Sequence, residues 1–254
     1  MRHNNLYTFI FISIVTIICA GLLSSAAYYL KDKQQTNVEV DMKKNILKAV
    51  KLLENNKISK QEILDSYNQN LESFTVDYLG NLAELPEGIS VEDIDPEKED
   101  TKPEKERFFP VYIKKSEANI SAYCIPIIGK GLWSTMYGYL ALEPDLNTIL
   151  GITFYKQTET PGLGSEVESE SFQDRFIGKQ IWDEADNLVA VKILKLEPSP
   201  NSPNIIHEVA GISGATKTSD GVMNLLLKDL LKYETYFRNL RQENVQKEDL
   251  TNVE

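Results

Sequence analysis

Gly211-Ile212-Ser213-Gly214-Ala215-Thr216-Lys217-Thr218 is the stretch on which the reading of this chain turns. Two glycines and an alanine strip bulk from the backbone, so it can turn tightly and let an anion approach its N–H groups. Thr218 and Ser219 then offer N-caps, and Val222, Leu226, Leu230, Tyr233 and Phe237 follow at helical spacing. A small-residue loop opening into a helix favours negative charge, because unpaired N–H groups and the helix dipole both point at it. The plainer reading is a glycine turn ahead of a capped helix, and spacing alone does not separate the two.

Upstream of this loop the texture is that of strands. Residues 109–113, 120–128, 137–142 and 149–155 are short runs rich in β-branched and aromatic side chains, punctuated by Gly129, Gly131, Pro144 and Gly151. A further strand is expected over 188–196. A helix is expected over 165–176, where Val167, Phe172 and Phe176 fall near one face. Strands, a helix, a strand and a long final helix predict an α+β domain over 108–237. The polar tail, 238–254, is expected to fray.

At 254 residues and 42% hydrophobic, the chain has room for one or two domains with a core. Its net charge of -11 argues against nucleic acid, whose phosphates demand a basic face. From Leu6 to Leu30 no side chain is charged. About 20 such residues span a bilayer, so residues 1–30 are expected to form a single transmembrane anchor. A cleaved signal peptide, with Ser24-Ser25-Ala26 as its processing site, would carry an apolar stretch of only about 7–15 residues. Lipid attachment at Cys19 wants a small residue before it, and Ile18 stands there. Charge does not orient the anchor, with Arg2 and the amino terminus on one side and Lys31 and Lys33 on the other. Cys19 and Cys124 are not expected to pair, so they leave the compartment open.

After the anchor, residues 31–74 read as helices within a helical juxtamembrane region, 31–83. Ile46, Val50 and Leu53 recur at i, i+4, i+7. Ser59-Lys60-Gln61-Glu62 matches a capping box, followed by Ile63, Leu64, Tyr67 and Leu71. This region serves either as a solvated stalk or as a partner surface. Residues 84–107 are dense in acidic side chains and broken by Pro86, Pro96 and Pro103, which predicts a flexible acidic insertion.

Two more small-residue loops accompany the first. Gly129-Lys130-Gly131-Leu132-Trp133-Ser134 sets a tryptophan in a glycine-flanked turn, and Glu159-Thr160-Pro161-Gly162-Leu163-Gly164 follows the fourth strand. Singly, each is a hairpin turn. Together, three such loops with a tryptophan and hydroxyls can line a flat, partly apolar pocket that suits a flavin or nucleotide. The histidines are His3 and His207 alone; no metal-ligand spacing, nucleophile–base pair or Walker sequence is present. Any chemistry here is expected to be a cofactor's.

Gly131-Leu132-Trp133-Ser134-Thr135-Met136-Tyr137-Gly138-Tyr139-Leu140-Ala141-Leu142 resembles the C-subunit family of the Na+-translocating NADH:quinone reductase, a bacterial respiratory membrane complex. So do Glu159 through Gly164, Ser213 through Ser219, and the single span followed by Lys31-Asp32-Lys33-Gln34. Ser-Gly-Ala-Thr with Thr-Pro-Gly-Leu-Gly also occurs in the related G subunit of Rnf ferredoxin:NAD oxidoreductases. The tryptophan block favours the Na+ pump.

The resemblance implies an antiparallel-sheet-plus-helices FMN-binding domain at 108–237, with FMN joined to Thr216 through a phosphoester bond by a flavin transferase. It implies cofactor contacts from Ser213, Gly214, Ala215, Thr218, Ser219, Thr160, Gly162, Leu163, Gly164, Trp133 and Ser134. It also implies the A, B, D, E and F subunits as partners, the bacterial inner membrane, and a soluble domain on the periplasmic side. The sequence departs from the family pattern at Ala210, where aspartate is usual, at Ser165, and at Gln157-Thr158. A Rnf-type G subunit and a non-redox membrane-anchored adaptor are the alternatives.

Overall fold

The structure is a computed structural model that describes residues 5–53, 58–116 and 119–251. Arg2 and His3 lie outside the described residues, as does the end of the tail. The chain divides into two compact units, Met1–Met42 and Lys43–Glu254. Helix α1 spans Asn5–Ala49. Its stretch Asn5–Lys31 is long and apolar enough to cross a membrane, and none of it is buried.

The second unit is built on a six-stranded antiparallel sheet. Strands β1 (Leu71–Val76), β2 (Leu82–Ala83), β3 (Phe109–Ser116), β4 (Asn119–Lys130), β5 (Thr135–Leu142) and β6 (Ile149–Lys156) lie in the order β2-β1-β3-β4-β5-β6. Alternation assigns the two faces. Val111 and Ile113, Ile125 and Ile127, and Leu140 and Leu142 point into the main core, against Phe172, Phe176 and Trp182 and the apolar side of the last helix. Tyr112, Cys124, Tyr139 and Tyr155 occupy intervening positions. Tyr139 meets Tyr112 edge-on and stacks on Tyr155. The end of α1 and the turn after it cover part of that second face: Thr153 Oγ1 donates to the Asn45 carbonyl at 3.3 Å, and Lys114 Nζ to that of Val50 at 3.1 Å. Helix α2 (Lys60–Asn70) starts with the expected capping box, Ser59 and Glu62 exchanging bonds at 3.2 and 2.8 Å.

Helix α5 (Thr216–Thr251) packs on β4. Val222, Leu225, Leu226, Leu230, Tyr233 and Phe237 repeat at i, i+3, i+4 and are buried to 2% exposure or less. Burying each such side chain is worth roughly 1.5–3 kcal/mol, so the helix is held by its stripe more than by propensity.

Several sequence expectations are corrected. The helical reading of 31–74 breaks after Ala49, which leaves Val50 and Leu53 outside α1. It resumes at Lys60 and ends at Asn70, and Leu71–Val76 is a strand paired along its length with β3. The sheet therefore begins ahead of residue 108. The strand expected over 188–196 contracts to β7 (Lys192–Leu194), which pairs in parallel with β8 (Glu208–Ala210). The helix expected over 165–176 is three short pieces, of which α4 (Glu170–Gln173) is α-helical, though Val167, Phe172 and Phe176 are all buried as expected.

The acidic stretch 84–107 folds into single turns, including α3 (Pro96–Glu99), because its carboxylates find partners outside the stretch. Glu92 accepts from Tyr67 and Ser73, and buried Glu99 accepts the Phe108 N–H. Asp100 pairs with Lys228 and Lys232 of α5 at 2.8 and 2.5 Å. The tail does not begin at 238 either: Arg238 and Arg241 stay in α5, pair with Asp186 and lie over the Trp182 ring.

Candidate functional site

Helix α5 opens at Thr216, ahead of the caps expected at Thr218 and Ser219. Its first intrahelical bond runs from Ser219 N–H to the Ala215 carbonyl, so the N–H groups of Thr216, Lys217 and Thr218 precede the helical ladder. Neither hydroxyl caps, because each is drawn into another contact. Thr218 Oγ1 donates to Glu159 Oε2 at 2.7 Å, and Ser219 Oγ accepts the Ile212 N–H at 3.2 Å. Both side chains are buried, as is Ala215. Thr216 and Ser213 are exposed. Gly214 sits at φ +75°, where an L side chain is strained, and a Cβ there would lie 2.9 Å from Leu163 Cδ2.

The three loops meet at one carboxylate. Glu159 Oε1 accepts the N–H groups of Trp133 and Ser134 at 2.9 and 3.0 Å and the Ser134 hydroxyl at 3.3 Å. Oε2 accepts Leu132 N–H at 3.1 Å beside the Thr218 bond. Burial alone would raise the pKa of this group. The bonds from Thr218, Trp133, Ser134 and Leu132 outweigh it and hold the carboxyl below its ordinary range.

Gly131 and Gly164 explain themselves here. A Cβ on Gly131 would stand 2.6 Å from Glu159 Oε1, and one on Gly164 would stand 2.5 Å from Thr218 Oγ1. These glycines make room for the carboxylate and its partners.

The remaining site residues lie on the surface of this knot. Thr160 is exposed, and its carbonyl accepts the N–H groups of Leu163 and Ser165. Gly162 is exposed and donates to Ser165 Oγ at 3.1 Å. Ser134 Oγ also accepts Thr158 N–H at 2.8 Å. Trp133, Leu132 and Leu163 are 72%, 51% and 40% exposed. An exposed hydroxyl, a helix start with N–H groups ahead of the ladder, and apolar side chains left in solvent fit a phosphate ester with a planar apolar ring beside it.

Two supporting residues escaped the sequence reading. Glu159 was visible only as the head of a Pro-Gly loop. Arg175 donates to the carbonyls of Ala210 and Gly211 at 3.0 and 2.9 Å and so fixes the approach to the Ser213–Thr216 turn. No spacing signal in one sequence marks either. A cavity of about 770 Å³ lies elsewhere, lined by Trp182, Gln180, Lys192 and His207 among others, and includes none of the expected site residues. His207 Nδ1 is 2.7 Å from the Gln180 carbonyl. Among the described residues, no cluster of three or more His, Cys, Asp or Glu could hold a metal.

Residues 131–231, which take in the Gly131–Ser134 turn and both other loops, match the FMN-binding domain family. Over 245 residues the chain is 33% identical to the C subunit of the Na(+)-translocating NADH-quinone reductase of Pseudomonas aeruginosa, spanning 90% of this chain and 93% of that one. This chain belongs to that C-subunit family. The Pasteurella multocida C subunit is 35% identical over 230 residues, with 85% and 86% of the two chains covered. The fold agrees. The crystal structure of the C subunit from Parabacteroides distasonis superposes with a TM-score of 0.69 at 30% identity, covering 82% of this chain and 96% of that one. That of Shewanella oneidensis NqrC gives 0.68 at 27% identity, covering 80% and 98%. The α+β class expected from the sequence, with its N-terminal apolar helix and antiparallel sheet, is thus the architecture of the C-subunit family.

Proposed function

We propose that this chain is the flavin-carrying C subunit of a respiratory Na+-translocating NADH:quinone reductase, with FMN esterified to Thr216 and electrons relayed through it from NADH toward quinone. The observation that carries the proposal is the exposed Thr216 hydroxyl at the first residue of α5, inside the stretch that matches the FMN-binding family.

Bound there, FMN would supply the one-electron redox chemistry that no side chain of this chain provides. The protein's part is to hold it. The N–H groups of Thr216, Lys217 and Thr218 and the positive end of the α5 dipole favour the phosphate's negative charge. Trp133, Leu132 and Leu163 offer apolar surface for the ring. Ser213 and Gly214 keep the approach to the hydroxyl open for a flavin transferase. That enzyme must supply the activating base, because among the described residues no titratable group bonds Thr216.

Membership of the C-subunit family supports the rest of the reading. The chain works as one subunit of a translocase beside the A, B, D, E and F subunits and has no independent catalysis. Residues 1–30 anchor it in the bacterial inner membrane, with the soluble domain, including 108–237, on the periplasmic side. The uncharged stretch from Leu6 to Leu30 contains no group to conduct an ion, which leaves Na+ movement to other subunits. In full-length chain coexpressed with its flavin transferase, denaturing electrophoresis should show a fluorescent band that Thr216→Ala abolishes. Fluorescence surviving that substitution would remove the assignment.

A further inference from the structure

We infer that Glu159 is the positioning residue of this flavin site: its carboxylate holds the Leu132–Ser134 turn, its own loop and the start of α5 in one arrangement. The inference rests on the reading that FMN is carried on Thr216.

Its geometry is that of a hub. Each loop is tied to the same side chain, and the two oxygens together accept N–H groups of Leu132, Trp133 and Ser134 and hydroxyls of Ser134 and Thr218. Among the described residues no lysine or arginine pairs with it. Its charge is met by dipoles in fixed directions, which makes it a geometric clamp. It is 4% exposed, while Trp133, whose N–H it accepts, and Leu163, on its own loop, are turned to solvent. The clamp therefore acts on the ring-contacting surface from behind. It also commits the Thr218 hydroxyl, which leaves Thr216 as the exposed threonine at the helix start.

Glu159→Gln is the informative change. Its carbonyl oxygen can replace Oε1, but its amide NH2 then faces the Leu132 N–H, donor against donor. In full-length chain coexpressed with the transferase, the flavin should become mobile. Its fluorescence anisotropy and visible circular dichroism should fall, and iodide should quench it about tenfold more readily, on the scale of one lost buried hydrogen bond to a charged group. Its midpoint potential should shift as well. Far-UV dichroism should stay unchanged.

Thr218→Val, which removes one bond to the carboxylate and keeps the shape, should move the same readouts in the same direction by less. Unchanged anisotropy, quenching and potential in a folded Glu159→Gln chain would overturn the inference. If that chain does not fold, the same constancy in Thr218→Val overturns it. Absence of flavin from the wild-type chain would instead overturn the reading of Thr216 on which the inference stands.

Discussion

Helix α5 is fastened by two buried carboxylates, Glu159 near its start and Asp229 a few turns along, and the two work by opposite chemistry. Glu159 receives neutral donors, N–H groups and hydroxyls, from loops that carry the site. Asp229 is 1% exposed; its Oδ2 accepts Ile128 N–H from β4, and its Oδ1 faces Lys232 at 2.8 Å and Lys228 at 3.4 Å without an aligned hydrogen bond. The result is a contrast in acidity. The donors around Glu159 overcome burial and hold it low, whereas burial of Asp229 outweighs Lys232, Lys228 and the Ile128 N–H and pushes it up. A carboxylate surrounded by directed dipoles fixes positions. One surrounded by ammonium groups chiefly balances charge, here together with Asp100.

The largest stability effect separating the two should come from neutralising each in turn. Glu159→Gln should lose about 2 kcal/mol in urea unfolding, because donors are left facing a donor. Asp229→Asn should lose less than about 1 kcal/mol or gain slightly, since the amide escapes the desolvation that the ionised form suffers. Equal losses would erase the distinction.

The pH dependence should differ in sign. Glu159 has a lowered folded pKa, so its contribution is complete above the unfolded value of about 4.3 and fades as pH falls through the folded one. The acid limb of the stability curve should flatten in Glu159→Gln. Asp229 has a raised folded pKa, so its contribution is greatest at low pH and shrinks as pH rises past its unfolded value of about 3.9. Asp229→Asn should therefore make stability climb more steeply across that range. The smallest effect belongs to the surface. Trp133→Ala should stay within about 0.5 kcal/mol of wild type, because the ring is 72% exposed.

The parts of the molecule legible in the sequence are those governed by local pattern. Strands β3 to β6 announce themselves by β-branched and aromatic runs, and α5 by its apolar spacing. Strand β1 hides because Leu71 continues the helical repeat of Ile63 and Tyr67, so period alone extends α2 one turn too far. β7 and β8 are three residues each, too short for alternation to register. Acidic composition suggests disorder over 84–107, but Glu92, Glu99 and Asp100 are satisfied by residues outside that stretch. The same blindness applies to the site. Its loops were visible as small-residue turns, but their convergence on Glu159 is a tertiary fact: Thr218 lies 59 residues from the carboxylate it donates to.

The most direct test of the site is the location of the flavin. Full-length chain coexpressed with its transferase should carry one FMN by intact mass, and fragmentation should place the phosphate on Thr216, the exposed threonine at the start of α5. A chain with no FMN, or with the phosphate on Thr218 or Ser219, the two hydroxyls held inside the structure, would contradict it.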